Sequence, residues 1–91
     1  MTAEPYPNLE KYCDAGEEAI KEVWRARYEL GFGLFHSAHE GYAVILEEMD
    51  ELWEHVKTNS KHRNWEEMRK EAMQVAAMAI AFMVEVTRET P

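Results

Sequence analysis

EEMDELWEHVKTNSKHRNWEEMRKEAMQ, residues 47–74, reads as the facing ends of two amphipathic helices joined by a short polar link. A helix turns about 100° per residue, so Ile45, Met49, Leu52 and Val56 fall on one stripe, expected to face the core. Glu47, Asp50 and Glu54 lie roughly opposite that stripe and read as solvated charges. TNSKHRN, residues 58–64, is too polar to be buried, and Asn64 with Glu67 gives the capping signal of the next helix. If the two helices fold back antiparallel about residue 61, Glu51 and Glu71 each stand ten residues from the bend, and Glu48 and Gln74 each stand thirteen. The two pairs then sit at matching heights.

Working outward, Ser37 and Glu40 form an S-x-x-E capping box at the start of the first helix of this hairpin, which is expected to run to about Thr58. Upstream, Asn8 or Asp14 caps another helix whose apolar members Ile20, Val23, Trp24, the stem of Arg27 and Leu30 recur at helical spacing until GFG, residues 31–33, ends it. Pro5 and Pro7 fix their own φ and disfavour helix at the preceding residue, so residues 1–8 read as an extended arm and 9–91 as a single helical domain. The last helix, expected to reach about Arg88, is apolar around most of its circumference between Ala72 and Val86. Three helices cannot cover such a surface, and Ala76, Ala77, Ala79 and Ala81 would let neighbours approach closely. The expected fold is all-α: an antiparallel helical hairpin plus an N-terminal helix, completed as a bundle in a homodimer or homotetramer.

Composition narrows the function. Ninety-one residues, 46% apolar and 31% charged, suit one small domain. Ten Lys and Arg against eighteen Asp and Glu give a net charge of −8, which opposes binding to nucleic acid or an anionic membrane. The longest near-apolar run, residues 72–86, falls short of the roughly 20 residues that span a bilayer. Cys13 has no partner for a disulfide, and MTAEPYPN is not a signal peptide, so the expectation is a cytoplasmic protein. Gly31 and Gly33 are not followed by the Lys-Ser/Thr of a phosphate-cradling loop, and no Glu stands three residues before a His, as a di-iron bundle requires.

The carboxylates carry the remaining signal. Glu48 and Glu51 share a stripe with Gly41, Val44 and His55 that flanks the core, where a charge is costly unless compensated. Glu71 and Gln74 share one with Glu67 and Met78. Three carboxylates and an amide converging between two helices suit a hard divalent cation such as Mg²⁺ or Mn²⁺. The alternative is an interface in which the acids pair with Lys or Arg.

EEMDE at 47–51, followed after nineteen residues by EAMQ at 71–74, resembles the E-E-x-x-E and E-x-x-D motifs of the MazG-like all-α nucleoside triphosphate pyrophosphohydrolases. The likeness spans about residues 24–85 and points to the small, phage- or mobile-element-type members. It implies Mg²⁺-dependent hydrolysis of a nucleoside triphosphate to the monophosphate and pyrophosphate. Position by position, Glu48, Glu51 and Glu71 match metal ligands, and Glu47 matches the first Glu, a position for serving a second ion or orienting water. Gln74 stands where the family has Asp, one negative charge fewer. Lys57 and Arg63 are candidate phosphate contacts, and Trp24 or Tyr28 could stack on a base. The other reading is a catalytically weak helical module of the same fold that binds a nucleotide or a protein partner.

Overall fold

The computed structural model describes residues 5–87, and all regular structure among them is helical. The order is α1 (Leu9–Trp24), a π-helical continuation (Arg25–Glu29), α2 (Ala38–Val56), a 3₁₀ turn (Ser60–His62) and α3 (Trp65–Glu85). Each α-helix begins at a side-chain cap from the sequence: Asn8 accepts from the Lys11 amide, Ser37 from that of Glu40 and Asn64 from that of Glu67. The box at Ser37 is only half closed, because Glu40 turns its carboxylate to His36 Nδ1 at 3.2 Å. Of the expected arm, residues 1–4 lie outside the described residues, and 5–8 are non-helical. Arg88, the expected end of the last helix, also lies outside them, and α3 stops at Glu85.

The π segment carries the chain out of α1 in a turn one residue wider than usual. Its Leu30 amide bonds to the Arg25 carbonyl at 2.9 Å, and the Phe32 amide reaches back to Ala26 at 3.0 Å. Gly31 has φ of 73°, the left-handed geometry that glycine takes without steric cost, so GFG does terminate the helix.

Both α1 and α2 pack on α3, and neither packs on the other. The α1–α3 contact is made by small residues: Ala19, Ala77 and Ala81 are essentially inaccessible. On α2, Gly41 is buried because its Cα faces the Phe82 ring, where a Cβ would stand 2.6 Å from Cδ2. Phe35 and Met78 complete the buried core, with Val23, Val44, Ile45, Ile80, Phe82 and Val86 packed around it.

The expected core stripes are rotated. On α2 the inward positions are Gly41, Val44, Ile45, Glu48, Leu52 and His55, while Met49 and Val56 are exposed. On α1 and its π continuation the buried positions are Ala19, Glu22 and Ala26, while Ile20, Trp24 and, just beyond, Leu30 are exposed. The cause is that each helix meets a single neighbour within the chain, so only one narrow stripe is covered. That stripe is chosen by close approach of small residues rather than by the largest apolar ones. No helix among the described residues is long and apolar enough to cross a membrane.

Candidate functional site

The rotated stripe of α2 draws Glu48 partly inward and leaves Glu51 at its exposed edge. Glu48 and Glu51 from α2 and Glu71 from α3 each offer a carboxylate oxygen, and the three oxygens lie within 4.8 Å of one another. Like charges that close raise each other's affinity for protons. Burial pushes the Glu48 carboxyl up to about 7, helped by the negative charges of Glu51, Glu71 and Glu47. Glu71 is raised as well, by burial first and then by Glu51, with His55 acting against the rise. One Glu71 oxygen, Oε2, is buried with no hydrogen-bond partner.

These acids form one wall of a cavity of about 550 Å³ between α2, α3 and the end of α1. Gln74 lines the same cavity one helical turn beyond Glu71. The same lining includes Glu22, Arg25 and Lys70, and Phe32, Phe35 and Met78 supply its apolar part. Glu22 is 9% exposed and accepts hydrogen bonds from Arg25 Nε at 2.9 and 3.1 Å. Its carboxyl is held below the usual range by Arg25, and by the Gln74 amide, against the opposing effect of burial.

The four expected cation-site residues are therefore brought to one cavity, and the other expected site residues are not. Glu47 is exposed and outside the cavity lining, although near enough for its charge to act on Glu48. Lys57 pairs with Glu54 at 3.0 Å. Six residues beyond Glu51 it stands at a suitable height, but about 600° of helical rotation turns it some 120° away. Arg63 is spent on the end of α2, donating to the Val56 and Thr58 carbonyls at 2.6 and 3.1 Å with its guanidinium over Trp65. Trp24 and Tyr28 stack on each other, centroids 4.2 Å apart, and line a second, more apolar cavity that shares Arg27, Phe32 and Gly33 with the first.

Sequence reasoning missed Glu22 and Arg25. A signal existed for Glu22: it falls between Ala19 and Ala26 at i+3 and i+4, an acid within a stripe of small residues suited to close packing. No family model, curated protein or solved structure matches this chain.

Proposed function

We propose that the chain is a divalent-cation-dependent nucleoside triphosphate pyrophosphohydrolase, with Glu48, Glu51, Glu71 and Gln74 as the cation-holding residues. The observation that carries this reading is the convergence of three carboxylate oxygens within 4.8 Å, with Glu71 Oε2 buried and lacking a hydrogen-bond partner. All donors are oxygen, the set that Mg²⁺ and Mn²⁺ prefer, and a bound ion would offset the burial and mutual repulsion that raise the Glu48 and Glu71 carboxyls. A bound cation would polarise a phosphoryl oxygen and acidify water.

The chain's own residues have distinct tasks in this scheme. Glu48, Glu51 and Glu71 fix the cation between α2 and α3. Arg25 and Lys70, on the cavity lining, take the role first assigned to Lys57 and Arg63 and contact phosphate oxygens. Glu47 lies next to Glu48 but is exposed and outside the cavity lining, so its proposed part is confined to accepting a proton from solvent water. Phe32 and Phe35 make the cavity lining partly apolar, which suits a nucleoside. Pyrophosphate release from a panel of nucleoside triphosphates with Mg²⁺ and with Mn²⁺ tests the assignment, and no release from any of them refutes it. The weak-module reading is favoured by one observation, the uncharged residue at position 74. It requires nucleotide-dependent stabilisation without turnover.

Association into a dimer or tetramer belongs to the same proposal. Trp24, Tyr28, Phe32, Leu34, Met83 and Val84 are all at least half exposed around the second cavity and the outer side of α3. Apolar patches of this kind usually mark an interface.

A further inference from the structure

Glu22 is an acid in a buried stripe, falling between Ala19 and Ala26 and itself only 9% exposed. A buried carboxylate is costly unless a counter-charge meets it, and Arg25 does so from three positions along the chain. Which edge of the guanidinium it uses decides what else Arg25 can do. Nε stands 2.9 Å from one Glu22 oxygen and Nη2 stands 2.5 Å from the other, a side-on fork. A guanidinium carries five N–H donors in one rigid plane, one on Nε and two on each Nη. The fork takes the Nε donor and one of those on Nη2. Nη1 makes no hydrogen bond among the described residues, so Nη1 and Nη2 together keep a second, end-on edge that Glu22 does not touch. The Arg25 side chain is 46% exposed and lines the same cavity as Glu48, Glu51, Lys70 and Glu71.

We infer that Glu22 is a positioning residue, which holds the side-on edge of Arg25 so that the end-on edge is presented to a phosphoryl group of the nucleotide. The inference rests on the reading above, in which Arg25 contacts phosphate, and adds that a buried acid assists the binding of an anion. Paired donors on a rigid plane match two phosphate oxygens at once, and a guanidinium already pinned on one edge loses little freedom when the other is engaged. Glu22 also repels phosphate. That repulsion is small, because Arg25 neutralises the carboxylate at contact distance, and positioning outweighs it.

The two effects differ in sign, which the experiment reads. The full chain is titrated calorimetrically with pyrophosphate in excess Mg²⁺, and separately with Mn²⁺ alone to register the cation site. Glu22→Gln should weaken pyrophosphate binding by about tenfold, the lower end for a charge-assisted hydrogen bond. Arg25→Lys keeps the positive charge but has no second edge to orient. In that background Glu22→Gln should change affinity by no more than about twofold, the usual limit for uncoupled changes.

Unchanged or tighter binding by Glu22→Gln with Arg25 in place would overturn the inference, as would an equal loss in the Arg25→Lys background. Either leaves the cation site standing if Mn²⁺ still binds. A wild-type chain that binds Mn²⁺ but not pyrophosphate overturns the inference alone, and one that binds neither overturns both readings. If Glu22→Gln does not fold, Glu22→Met places an apolar side chain of similar length at the buried position and leaves Arg25 in water. The same cycle then applies with the same expected difference.

Discussion

Arg27 and Glu85, fifty-eight positions apart, form a two-pronged ion pair that closes the end of α1 onto the end of α3, with Nε and Nη2 at 3.0 and 2.9 Å from the carboxylate oxygens. Both side chains are less than a tenth exposed, and the same carboxylate accepts the Phe35 amide at 3.0 Å. One acid thus ties together α3, the π segment and the chain leading into α2. Removing one partner of such a pair leaves a buried charge without its counter-charge. Arg27→Ala should therefore cost about 3 to 5 kcal/mol, and Arg27→Lys, which keeps the charge but loses the fork, distinctly less. Chemical denaturation of the two variants side by side measures the difference.

Gly41→Ala sets two effects against each other. Alanine favours helix by about 1 kcal/mol over glycine, but the added methyl would meet Phe82 Cδ2 at 2.6 Å and Phe35 Cδ2 at 3.2 Å. Overpacking of this kind costs about 1 to 3 kcal/mol, so the net result should be a loss on the order of 1 kcal/mol. Adding Phe82→Leu should recover stability relative to Gly41→Ala alone. A Gly41→Ala chain more stable than wild type would show that α2 can shift outward without penalty.

The raised carboxyls fix the sign of a pH dependence. Glu48 goes from an ordinary 4.5 when unfolded to about 7 when folded, so between these values the folded state binds more protons. In the metal-free protein this contribution to stability is greatest below about pH 4.5, declines as pH rises towards 7, and is lost above it. Melting temperature should fall across that window, and Glu48→Gln should flatten the decline.

Cation binding reverses the trend, because carboxylates must deprotonate to bind. Added Mn²⁺ should raise the melting temperature more at pH 8 than at pH 5, with a gain of about 2.7 kcal/mol at a hundredfold excess over the dissociation constant. Glu71→Gln should be more stable than wild type without metal and should lose the response to Mn²⁺. A loss of response with Asp50→Ala would place the site on the wrong face of α2.

Association needs a probe that does not unfold the chain. Ala77 is fully buried between helices, so Ala77→Glu would unfold the protein whether or not it assembles. Val84 is 65% exposed beside the second cavity, and Val84→Glu should leave helix content intact. Sedimentation should show wild type as a dimer or tetramer and Val84→Glu as a smaller species. A wild type monomeric at high micromolar concentration would remove the expectation.

Caps, helix order and the pairing of Glu48, Glu51 and Glu71 were legible because they depend on neighbours in sequence or on counting from one bend. Asn8, Ser37 and Asn64 act locally, and a helical hairpin has only one register parameter. The buried stripes were less legible. Periodicity finds the most apolar stripe of a helix, and Met49, Val56, Ile20 and Trp24 belong to it. Within this chain, Gly41 on α2 and Ala19 on α1 lie against α3 instead, because small residues permit closer approach. Nothing local to Glu22 or Arg25 announces the cavity, since their place depends on how α1 lies across α3. Lys57 shows the converse error: distance along a helix was judged without its rotation.

The widened turn at Arg25–Glu29 makes this part of the chain intolerant of changes in length. Deleting one residue there would let the chain resume ordinary pitch, which nearly preserves the direction of the chain beyond the segment but turns residues inside it, Arg27 among them, by roughly half of the 100° that separates neighbours. Glu22, upstream, would keep its place, while Arg27 would swing away from Glu85. Substitutions at the exposed Arg25, Tyr28 and Glu29 can be absorbed by the fold one at a time, but an insertion or deletion would break the Arg27–Glu85 tether. Among homologous chains the spacing between residues 22 and 27 should therefore vary less than the identity of the residues between them.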